Sequence, residues 1–209
     1  NKHFIACNHD HEYLSELRRN QPHKLRKLQD DNIITIDNNF ENEIRNRQPI
    51  RVKMIFDSLD NPTIDEKYCN DNNLDKEITF GKETHKCRKE DQLNDTLIKI
   101  IKETMENAED YISKLVNVTR IKSNKVGKSF YKEIGWTNHK INNEYEEKYD
   151  LLIFVLCRPY GETSSTLASA SACEYTDEDD SLNSQRPRVG FININVAKLP
   201  SAPQNYTSG

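Results

Sequence analysis

The sequence has no HExxH, no GxSxG and no GxGxxG. Within its 209 residues these absences exclude a helical pair of zinc-binding imidazoles, the nucleophile elbow of a serine hydrolase and a dinucleotide cradle. The six histidines (His3, His9, His11, His23, His85, His139) include no i, i+4 pair, the spacing that sets two rings on one helical face. Val126-Gly127-Lys128-Ser129 matches the end of a phosphate loop, but Lys122 stands where the first glycine is required, so no cradle forms. No CxxC occurs, which argues against zinc ribbons and dithiol redox centres. No apolar run reaches the length of a bilayer span, and the longest, 151–157, is strand-length.

Apolar residues are also sparse. They make up 34% of the chain against 31% charged, with a mean hydropathy of -0.90, so a single core shares the chain with exposed or extended stretches. Neither sign of charge dominates: 30 basic residues face 34 acidic ones, interspersed, for a net charge of -4. No basic face stands out, and nucleic acid is not an expected partner. The basic run 18–27 reads as solvated surface. The acidic cluster 177–180 lacks the glycine and spacing of a calcium loop and reads as a solvated loop.

What is present is concentrated after residue 50. Residues 1–45 are polar, with a short helical turn suggested by Tyr13, Leu14 and Leu17 and a short strand at 33–36; they read as an arm that takes its stability from elsewhere. Alternation at Ile50, Val52, Met54 and Phe56 predicts a strand, closed by turn chemistry at 57–62. After a loop with a possible strand at 78–80, Leu93, Leu97, Ile100, Ile101, Met105, Ala108, Tyr111, Ile112 and Leu115 recur at three- and four-residue steps. They predict an amphipathic helix over 91–116. Further strands are expected at 116–121, 151–157, 166–173 and 189–196, with an ill-defined polar stretch at 122–149. The order β-α-β-β-β-β predicts an α+β (α/β-like) fold: a twisted mixed sheet of about five strands with one long helix. The strand at 166–173 is made of small residues, so another backbone could approach it closely.

Five dispersed cysteines and three N-x-[ST] sequons, at Asn94, Asn117 and Asn205, point to a secreted or cell-surface setting with these asparagines as glycosylation candidates. The start at Asn1 rather than Met fits removal of a signal peptide or excision from a longer chain. Cys69 and Cys87 flank the connection into the helix, and Cys157 and Cys173 end strands expected to be adjacent. Cys69–Cys87 and Cys157–Cys173 are the expected disulfides, against the alternative of buried free thiols in each pair. A bridge over loops of this size contributes on the order of 3 kcal/mol. Cys7 is then the odd thiol. With His3, His9 and His11 it is too tightly spaced for a closed zinc site, which leaves a polar arm or a thiolate ligating a metal held elsewhere.

Taken together, these residues resemble the leishmanolysin family of surface zinc metallopeptidases, within the metzincins. The resemblance runs through Cys7-Asn8-His9-Asp10, Ile50-Arg51-Val52, Cys69, Cys87 and the following helix. It is most pronounced in Tyr149-Asp150-Leu151-Leu152-Ile153-Phe154-Val155, in Leu167-Ala168-Ser169-Ala170-Ser171-Ala172-Cys173 and in Arg186-Pro187-Arg188-Val189-Gly190-Phe191-Ile192-Asn193-Ile194-Asn195. It implies a propeptide-like arm (1–45) and the N-terminal subdomain of a metzincin-type catalytic domain (46–209), ending before the zinc helix. Zinc would be held mainly by residues outside this chain, with Cys7 capping it in a latent form. Leu167, Ala168, Ser169, Ala170, Ser171 and Ala172 would form the edge that pairs with an extended peptide or protein substrate. The other implied partners are the zinc-binding and C-terminal parts of the same protein, with membrane association only through a missing anchor. This chain alone would be inactive. The alternative is a non-catalytic extracellular adhesion or assembly module that keeps the fold. One departure stands out: the family partners the cysteine at position 173 from a segment ahead of the central strand, and this sequence has no cysteine in that segment, which leaves Cys157 as the substitute partner.

Overall fold

The computed structural model describes residues 47–80, 83–136, 138–161, 164–176 and 186–199. The expected arm at 1–45, with Cys7, lies outside them, as do the acidic cluster 177–180 and Asn205.

The strand with no polar residue takes the centre of the sheet. Strand β6 (Leu151–Leu156) is flanked in parallel by β2 (Val52–Ile55) and β8 (Pro187–Ile194), and β7 (Ala168–Tyr175) runs antiparallel on the far side of β8. The order is β2-β6-β8-β7. Buried on both faces, β6 divides its side chains by the period of two. Leu152, Phe154 and Leu156 enter one core cluster, and Val155 enters the other with Cys157 just beyond the strand.

The described architecture is thus mixed α and β, with a four-stranded central sheet where about five strands were expected. The strand expected at 116–121 contributes only β5 (Asn117–Val118), which pairs antiparallel with β1 (Gln48–Pro49) in a separate ribbon. The hairpin β3 (Glu77–Phe80) and β4 (Glu83–Lys86) also stands apart. A short helix α1 (Asp57–Asp60) follows β2.

The long helix α2 (Asp95–Leu115) starts four residues later than the periodicity suggests, because Asn94 is its cap and accepts from the Leu97 N–H at 2.9 Å. Leu97, Ile98, Ile101, Met105, Ala108 and Ile112 pack on one face of the sheet. Tyr111 and Leu115 fall off that stripe and are 64% and 62% exposed. The helix also covers one sheet margin: the Glu109 carboxylate accepts from the Met54 N–H of β2 at 2.8 Å. A side-chain acceptor there occupies a donor that an outside strand would need.

The opposite face is covered by the 122–149 stretch, which is more ordered than its polar sequence suggests. It forms α3 (Lys128–Glu133) and α4 (Asn143–Lys148), and sends Phe130, Tyr131, Ile134, Trp136 and Ile141 into the core. The rings of Phe130 and Trp136 lie 4.7 and 5.2 Å from that of Phe154, at tilted to edge-on angles that suit aromatic pairs.

Two buried carboxylates pin the ends of the sheet. At the start of β6, Asp150 accepts from the Arg51 N–H (3.0 Å), Arg51 Nε (2.9 Å), Arg51 Nη2 (3.0 Å) and the Ile121 N–H (3.1 Å). Burial alone would push this carboxyl up, but the Arg51 guanidinium and the two backbone donors outweigh it and hold it below the ordinary carboxylate range. At the other end, Arg158 Nε and Nη2 bond the Asp65 carboxylate at 2.8 and 3.0 Å, and Nη2 also bonds the Ile134 carbonyl.

Candidate functional site

Among the described strands β7 is the outermost on the side away from α2's carboxylate cover, and its composition lets a second backbone come close. Ala168 and Ala170 are exposed; Ser169, Ser171 and Ala172 are half-buried. Leu167 lies just before the strand and is 66% exposed. The six residues singled out in the sequence therefore lie together along one outer strand and its approach.

Neighbouring groups hold that strand in place. Asn193 of β8 is buried; its Oδ1 accepts from the Arg158 N–H at 2.8 Å, which extends the sheet beyond the end of β6. Asn195 Nδ2 donates to the Thr166 carbonyl at 2.7 Å, and the Asn195 N–H to that of Leu167 at 2.8 Å. The Tyr160 hydroxyl bridges the Asn193 carbonyl (2.8 Å) and Ser169 Oγ. Its single proton goes to the carbonyl, so Ser169 donates to the phenol oxygen. Burial pushes the Tyr160 phenol up, which keeps it a donor.

Beyond Ala172 the ladder is irregular: Ala172 pairs with Gly190, Glu174 with Val189 and Tyr175 with Pro187. Cys173 is the extra residue on β7, and Arg188 the extra residue on β8. The bulge is held by Glu174, whose Oε1 accepts from the Gly127 N–H at 2.9 Å and whose Oε2 pairs with Arg188 Nη2 at 2.8 Å. Gly190 allows the close crossing, because a Cβ there would sit 2.5 Å from the Ser171 carbonyl oxygen.

The cysteines behave differently from expectation in one respect. Cys69 and Cys87 are joined, with Cα atoms 5.6 Å apart, beneath the β3–β4 hairpin. Cys157 is a buried free thiol, so the Cys157–Cys173 bridge does not form. The reason is topological: β8 lies between β6 and β7, and Cys157 packs in the α2-side cluster while Cys173 packs in the cluster on the other face. Burial pushes the Cys157 thiol far up, which makes it a poor nucleophile. Cys173 is disulfide-bonded to a partner outside the described residues. Of the sequons, Asn94 and Asn117 are exposed.

No protein-family model and no curated protein matches the chain.

No nucleophile–base pair accompanies β7 among the described residues. The His–carboxylate contact that sequence reasoning missed, His139 Nε2 to Asp57 Oδ2 at 2.7 Å, has no such partner in Ser58. The Ser58 hydroxyl is buried and bonds the Val155 carbonyl. The 82 positions between His139 and Asp57 explain why no local motif revealed the pair. No group of three or more His, Cys, Asp or Glu side chains that could hold a metal occurs among the described residues, so these residues do not by themselves fit a zinc site. No described helix is long and apolar enough to cross a membrane.

Proposed function

We propose that this chain is the N-terminal part of a secreted or cell-surface zinc metalloendopeptidase of leishmanolysin type, with β7 as its substrate-docking edge. The observation that carries the reading is the small-residue strand β7, antiparallel at the outer side of an otherwise parallel sheet, with α2 against one face. An extended peptide laid along such a strand gains main-chain hydrogen bonds, and small side chains leave room for bulkier substrate residues. In this reading zinc and the catalytic base belong to a part of the protein outside these 209 residues. This chain supplies binding and orientation, and hydrolyses nothing alone. Asn94, Asn117 and Asn205 carry the glycans.

The test is hydrolysis of a casein or peptide substrate by the longer protein, with and without a zinc chelator, beside the 209-residue chain. Chelator-sensitive cleavage by the longer protein alone is the expected result. A longer protein without HExxH and without hydrolysis would overturn the reading in favour of an extracellular adhesion or assembly module that keeps the fold.

A further inference from the structure

The 120–140 segment covers one sheet face with Phe130, Tyr131, Ile134 and Trp136 turned inward. With those positions committed to the core, Lys125, Lys128, Lys132 and Lys140 are left on the outer side, and they are exposed together with Arg120 and Lys122. Against these six cations the segment has one carboxylate, Glu133, a local charge of +5 on a chain of net charge -4. Such clustering is absent from α2, where Lys99 pairs with Glu103 (3.8 Å), Lys114 with Asp110 (3.0 Å) and Lys102 with Asp60. None of the five lysines of 120–140 is ion-paired with another described residue. The neighbouring acids of α4 are largely engaged: Glu144 pairs with Lys148, and Glu146 Oε1 accepts from the Val126 N–H at 2.8 Å, leaving Glu147 exposed.

Unpaired like charges on one layer repel each other, and a polyanion relieves that repulsion. The layer's described residues expose no large apolar side chain; those exposed among the described residues, Tyr111, Leu115, Val116 and Leu167, lie outside it. It therefore lacks rings for stacking bases, an apolar anchor for a bilayer and the apolar centre of a protein interface. We propose that the outer side of the 120–140 layer binds a linear sulfated or carboxylated polysaccharide through its lysine ammonium groups.

Anisotropy titration of the 209-residue chain with a fluorescein-labelled heparin oligosaccharide, over a salt series, tests this. K125E/K128E/K132E should weaken binding by at least about tenfold and flatten its salt dependence, while the charge-matched K76E/K99E/K114E should change it less than about twofold. K125Q/K128Q/K132Q, which removes charge without reversing it, should fall between wild type and the first triple. The proposal is overturned if the wild type fails to bind at near-physiological salt, or if both Glu triples weaken binding equally. Preference for phosphatidylserine vesicles over the oligosaccharide in competition would also overturn it.

Discussion

Asp150 shows how much one side chain can organise. Its carboxylate receives two bonds from the Arg51 guanidinium and two from backbone N–H groups, and so ties β2 and residue 121 to the start of β6. Its pKa is depressed below the ordinary 3.8, so its contribution is present above that value and is lost as pH falls through the depressed one. Urea midpoints should therefore drop for the wild type below about pH 4. Asp150→Asn, already without the charge, should start lower at pH 7 and lose less over the same acid range. Equal acid losses in the two proteins would show that the carboxylate is not responsible. Cys157 presents the contrasting case of a group made inert by its surroundings. It should resist a thiol reagent in the native protein and react on unfolding, and non-reducing peptide mapping should recover Cys69–Cys87 with Cys157 unlinked. A Cys7–Cys173 peptide in that map would rule out the zinc-capping thiol.

Among the elements, β7 depends most on its neighbour. The crossing of β7 over Gly190 leaves no room for a methyl group, and the obstacle is the Ser171 backbone rather than a flexible side chain. Gly190→Ala should therefore cost about 2 kcal/mol by overpacking, read as a lower urea midpoint. In the longer protein it should also raise KM for peptides more than it lowers kcat, because the displaced strand is the one proposed to hold them. A KM unchanged in a folded variant would separate β7 from substrate binding. The helix α2 shows the limit of periodicity as a guide. Its spacing marks Tyr111 and Leu115 as apolar-face residues, yet both fall off the packed stripe and stay exposed, while Ala108 and Ile112 beside Tyr111 face the sheet.

At the scale of the whole molecule, Arg158 joins three distant segments. Fully buried, it bonds Asp65, the Ile134 carbonyl and, through its own backbone, Asn193. Removing one member of a buried ion pair leaves the other charge uncompensated, so Asp65→Asn should destabilise the fold by about 3 kcal/mol in equilibrium unfolding. A variant that melts like the wild type would show that the pair is dispensable.

The sequence by itself determined the pieces whose cause is local. The unbroken apolar run of β6 marks a central strand. The three-to-four spacing of apolar residues marks α2, though not its start at the Asn94 cap, and the small residues at 168–172 mark a strand open to close approach. The Cys69–Cys87 pair was legible too, from its position at either end of one connection. Only the tertiary structure decided what depends on neighbours distant in the chain. β8 inserts between β6 and β7, and this separates Cys157 from Cys173 and leaves β7 outermost among the described strands of the sheet. The polar stretch 122–149 closes half the core because Phe130, Tyr131, Ile134 and Trp136 find Phe154, a partner that no local pattern names. Local periodicity reports which side of an element avoids water; which element then covers that side is set by packing across the sheet.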